Sequence, residues 1–75
     1  MMIRILIVED DTDINQLLAK MMKQAGYQAI QAFSGTEALL LAQQEMVDLV
    51  LLDLMLPGIS GEEVINQLRQ VYQLP

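Results

Sequence analysis

The chain has 75 residues, 53% of them apolar, no cysteine, no histidine and a net charge of −6, which excludes disulfide staples and makes a structural zinc site very unlikely. A chain this short buries only about 60% or a little more of its unfolded surface, so it is expected to form one domain with a small core. Ten acids against four bases, Arg4, Lys20, Lys23 and Arg69, argue against direct nucleic-acid binding by this segment.

No apolar run approaches the roughly 18 residues that would cross a bilayer. The opening 1-MMIRILIVEDD-11 has no small-residue cleavage site of a secretory signal. A cytoplasmic protein without a membrane segment is expected.

Residues 3-IRILIV-8 are a continuous apolar run that ends in acids, as in a strand covered on both faces of a parallel sheet. Ile14, Leu17, Leu18, Met21, Met22 and Ala25 then recur at helical spacing and predict an amphipathic helix. Asp11 or Thr12 can cap its start, Asp13 suits its positive end, and Gly26 stands where a left-handed terminator belongs. Met21, Met22 and Met46 read as core fillers, and Lys20 and Lys23 as solvated positions off the stripe.

Residues 27-YQAIQAF-33 are interrupted by polar residues and fit an edge strand. The tetrapeptide 34-SGTE-37 has the form of a capping box and opens a second helix, ending near Glu45. Residues 47-VDLVLLD-53 form a third apolar strand, broken by Pro57 and Gly58. A second capping box, 60-SGEE-63, precedes a stripe of Val64, Ile65, Leu68 and Val71, which predicts a third helix.

The order β-α-β-α-β-α implies a parallel sheet with helices on its faces. The first and third strands are the most apolar and belong side by side, giving strand order 2-1-3. Strand one ends at Glu9 and Asp10, and strand three at Asp53. Neighbouring parallel strands lie about 4.8 Å apart, so these acids are expected at one rim. Open α/β sheets bind ligands at that rim, where the strand order reverses, a rule already known to hold for sheets of this order.

Crowded carboxylates either rise in pKa or share a cation. With all-oxygen donors and room for water, Mg2+ is the natural candidate, and it would also neutralise a phosphoryl group. A carboxylate so placed can act as a nucleophile and form an acyl phosphate. A single aspartate after a strand is usually a turn or cap residue. The conjunction of an acidic pair, a strand-end Asp53 and the following Pro-Gly makes the functional reading the more specific one.

The segments 5-ILIVEDD-11, 34-SGTEAL-39 and 48-DLVLLDLMLPGISG-61 resemble the receiver domain of bacterial two-component response regulators, and the likeness runs over all 75 residues. Its flavour is that of the winged-helix transcription-factor branch. The resemblance implies a flavodoxin-like, CheY-like fold. It makes Asp53 the acceptor of a phosphoryl group from a sensor histidine kinase. Mg2+ would be held by Asp10, by Asp53, by the main-chain carbonyl of Met55 and, mainly through water, by Glu9. Pro57 and Gly58 would shape the loop beyond the site.

A complete receiver has five strands and five helices, so residues 1–75 are expected to be the first half of one, β1-α1-β2-α2-β3-α3. The hydroxyl residue and lysine that contact the phosphoryl group in the family would lie in the missing half, and a DNA-binding domain regulating transcription would be a separate, C-terminal domain of the full-length protein. Mg2+ is then expected to bind weakly, and small phosphodonors to label Asp53 slowly or undetectably. The outer edge of strand three would be open, favouring a homodimer through that edge or through swapped elements.

Two other readings compete with a non-enzymatic signalling module. A phosphatase of the haloacid-dehalogenase type needs a second aspartate two residues after the first, where Met55 stands. The other is a fragment acting only as a folding or self-association unit, without phosphotransfer.

Overall fold

The computed structural model describes residues 2–52 and Asn66. Within them the elements are β1 (Arg4–Val8), α1 (Thr12–Gln24), β2 (Gln28–Ala32), α2 (Gly35–Gln44) and β3 (Leu49–Leu52). The expected third helix lies outside the described residues, apart from Asn66, which is helical and exposed.

The three strands are parallel in the order β2-β1-β3, as their apolarity predicts. Ile5 to Val8 pair with Ala29 to Ala32 on one side and with Leu49 to Leu52 on the other. The central strand is buried because both its edges are paired and both its faces are covered. On one face, Leu6 and Val8 pack with Ala32, Ala38 and Ala42 beneath α2. On the other, Ile5 and Ile7 pack with Ala19 beneath α1.

β3 is less buried than its composition suggests. Leu49 is exposed, and Val50, Leu51 and Leu52 are half-buried. Among the described residues no strand pairs with its outer edge.

The helix ends follow local chemistry. The Asp11 side chain accepts from the Ile14 amide and caps α1. The Tyr27 amide donates to the Met22 carbonyl and the Gly26 amide to the Lys23 carbonyl, which is the double bond of a Schellman terminator, with Gly26 at φ 95°. The Ser34 hydroxyl accepts from the Glu37 amide, and the Glu37 carboxylate accepts from the Phe33 amide. That closes the capping box expected from 34-SGTE-37, with the return bond reaching one residue beyond the cap.

The buried side of α1 departs from the apolar stripe. Asn15 and Ala19 are buried and Leu18 and Met22 half-buried, whereas Ile14, Leu17 and Met21 are 47%, 57% and 49% exposed. The helix is turned so that its smallest apolar residue, Ala19, lies against Ile5 and Ile7. Met22 therefore fills the core as expected, but Met21 and Met46 do not; Met46 is 78% exposed.

Candidate functional site

β1 delivers Glu9 and Asp10 to the carboxyl-terminal rim of the sheet. Val8, its last residue, is fully paired, with Ala32 on one side and Leu52 on the other. Glu9 is half-buried and Asp10 exposed. The Glu9 amide donates to the Ala32 carbonyl at 3.1 Å, so β1 is held beside β2 up to the point where the acids begin. The Glu9 carboxylate accepts from the Asp11 amide at 3.3 Å and is thereby turned toward the start of α1. There the unpaired amides and the helix dipole favour negative charge.

Asn15 is the feature the sequence reading missed. It is a polar residue inside the sheet-facing side of α1, with no exposed surface. Its amide nitrogen donates to the Glu9 carbonyl at 3.0 Å and to the Ala32 carbonyl at 2.9 Å, and its oxygen accepts from the Gln31 side chain at 3.0 Å. A buried polar group needs such partners. The available signal was position: Asn15 is one turn before Leu18 and Ala19 on a helix that follows an acidic strand end.

At the opposite end of the sheet, Arg4 joins β1 to the segment that enters β3. Its guanidinium lies 2.5 Å from the Glu45 carboxylate, its amide donates to the Asp48 carboxylate at 2.8 Å, and its carbonyl accepts from the Asp48 amide at 2.8 Å. These contacts set the start of β3, and so bear on where that strand ends.

Of the four residues expected to form the site, Glu9 and Asp10 stand together at the rim. Asp53 and Met55 lie outside the described residues, as do Pro57 and Gly58. Among the described residues no group of three or more acids, histidines or cysteines could hold a metal ion. The donors present are nevertheless of the right kind for Mg2+: two adjacent carboxylates, one of them exposed to water, with no nitrogen or sulfur ligand nearby.

An open parallel α/β sheet carrying an acidic pair at the end of its central strand defines a class of proteins that act at the strand-end rim. Residues 5–75 match the response regulator receiver domain family, and the chain belongs to it. It is 46% identical over 72 residues to "Uncharacterized transcriptional regulatory protein YrkP" of Bacillus subtilis, a match covering 96% of this chain and 31% of that protein. Among solved structures it resembles response regulator protein TrrA from Thermotoga maritima in complex with Mg2+-BeF, at 40% identity and a TM-score of 0.90, over 96% of this chain and 63% of that one. It also resembles TrrA in the crystal structure of histidine kinase ThkA in complex with that regulator, at 42% identity and a TM-score of 0.86, over 92% of this chain and 60% of the other. The chain thus spans about a third of the length of that Bacillus subtilis relative. Its fold is CheY-like, with the 2-1-3 strand order expected from the sequence.

Proposed function

We propose that this chain is the phosphoacceptor segment of a two-component response regulator, with Asp53 accepting a phosphoryl group from a sensor histidine kinase and Mg2+ as cofactor. The observation that carries the reading is strand register. Val8 pairs with Leu52, and the next residues in sequence are Glu9 and Asp10 on one side and Asp53 on the other. Continued one residue past Leu52, that register would set these acids at one level, where a shared cation fits.

In this reading Asp10 and Asp53 would hold Mg2+ directly, Glu9 would act mainly through water, and the Met55 main-chain carbonyl would complete the protein ligands. The ion would offset negative charge on the phosphoryl oxygens. A carboxylate oxygen of Asp53 attacks phosphorus; the new O–P bond forms as the P–N bond of the phosphohistidine breaks, and the imidazole nitrogen leaves with the electron pair. Exposure of Asp10 keeps the rim open to water and to a partner's histidine.

The kinase partner is supported by the crystallised pairing of TrrA with the histidine kinase ThkA, and the Mg2+ by TrrA's complex with Mg2+-BeF. A role in transcription rests on the name of the Bacillus subtilis relative. It would require a DNA-binding region apart from this acidic segment. No helix among the described residues is long and apolar enough to cross a membrane.

The test is a Mg2+ titration followed by amide shifts of Glu9 and Asp10, with mass spectrometry after incubation with a phosphorylated histidine kinase. Asp10→Asn and Asp53→Asn should each weaken Mg2+ binding at least about tenfold, by removing one charged oxygen ligand. Any phosphoryl group gained should vanish in Asp53→Asn. Labelling that persists in that variant would sink the phosphoacceptor assignment.

The outer edge of β3, unpaired among the described residues and with Leu49 52% exposed, supports a second property: self-association of two copies along that edge.

A further inference from the structure

We propose that Asn15 is a positioning residue for the acidic rim, holding Asp10 in the orientation that receives the cation; this rests on the reading of Glu9, Asp10 and Asp53 as a Mg2+ site. The side chain of Asn15 closes a ring. Its two amide hydrogens go to the Glu9 and Ala32 carbonyls, and the Ala32 carbonyl also accepts the Glu9 amide. Both backbone polar groups of Glu9 are therefore fixed.

A peptide bond is planar, so fixing the Glu9 carbonyl fixes the whole Glu9–Asp10 peptide plane. On the far side, Asp11 is fixed as well. Its amide donates to the Glu9 carboxylate, its side chain caps α1, and its carbonyl accepts the Asn15 amide. Asp10 is the exposed residue between these two anchors. Its carboxylate is left to solvent while its backbone is held.

The residue type suits the task. Asn15 is fully buried, and its own orientation is set by the Gln31 side chain donating to its oxygen. A lysine or arginine could donate to the same carbonyls, but its charge would offset the negative rim. A neutral amide supplies the donors and leaves the field for a cation intact. Groups that orient metal ligands from behind are generally worth about 10–100-fold in metal affinity.

The experiment compares Mg2+ affinity, read from the amide shifts of Asp10 and Asp11, with stability toward urea, in the full chain. Asn15→Leu keeps the branched shape and the number of side-chain heavy atoms, though not the volume, and removes both donors; it should weaken Mg2+ binding about tenfold. Ile5→Val loosens the core at the other end of β1 and should lower stability while leaving Mg2+ affinity within about twofold, showing that destabilisation alone does not move the readout. If Asn15→Leu fails to fold, Asn15→Ala, which leaves room for water beside the two carbonyls, is measured in its place with the same expected direction.

Wild-type affinity in a folded Asn15 variant would overturn the inference alone. An equal loss in Ile5→Val would also overturn it, by making the effect one of stability. A wild-type chain whose Mg2+ response is absent, or survives Asp10→Asn, would overturn the reading of the site and this inference with it.

Discussion

Ser34 shows how much a single side chain settles. Its hydroxyl takes the Glu37 amide, and Glu37 returns to the Phe33 amide, so two donors at the start of α2 are satisfied by residues four positions apart or fewer. Ser34→Ala should lower stability by about 1 kcal/mol, the usual cost of losing such a cap, measured as a drop in urea midpoint at constant slope. An unchanged midpoint would show that water serves the freed amide equally well. This motif was legible because it is local: both bonds fall within the five consecutive residues 33–37. Asn15 and Arg4 were not. Their partners are Glu9, Gln31 and Ala32 for the first, and Glu45 and Asp48 for the second. Most of those partners are far along the chain, and no short-range pattern announces a bond that spans 41 or 44 residues.

At the scale of the element, α1 carries the main correction. Its apolar periodicity gave the right span but not the right face. The stripe Ile14, Leu17 and Met21 points away from the sheet, and the line of Asn15, Leu18, Ala19 and Met22 lies against it. Two facts of packing decide this. Small Ala19 allows close approach to Ile5 and Ile7, and the carbonyls at the ends of β1 and β2 need the donors that Asn15 supplies. The end of the same helix was readable in the sequence. Gly26 has φ 95°, and a Cβ built there meets nothing within 4 Å. Gly26→Ala should therefore cost about 1–2 kcal/mol through backbone strain alone, seen as a lowered thermal midpoint with the spectrum of the folded chain unchanged. A larger loss with altered helix content would mean that the terminator itself had been rebuilt.

For the whole molecule, the central fact is that β1 is buried on both faces and paired on both edges, whereas β3 is paired on one edge among the described residues. Leu49 on that strand and Met46 just before it are 52% and 78% exposed. Apolar residues beside an open strand edge favour pairing between chains. Light scattering should show mass rising with concentration, and Leu49→Lys should shift the chain toward monomer. A monomer at every concentration, with a sharp cooperative melt, would end the self-association proposal. The expected features beyond Leu52, namely Asp53, Met55 and, apart from Asn66, the third helix, lie outside the described residues, which carry the acidic pair at the end of β1.

The sequence by itself determined the element order, the parallel sheet, the strand order 2-1-3, the caps at Ser34 and Gly26, and the acidic pair at the end of β1. These follow from periodicity, the apolarity of the strands, local hydrogen bonding and the alternation of strands and helices. Only the tertiary structure decided which face of α1 is buried, that Asn15 ties Glu9 to Ala32, and that Arg4 ties β1 to the entrance of β3. Those are contacts between segments distant in sequence, and they depend on how closely the elements approach and which buried carbonyls then need a donor.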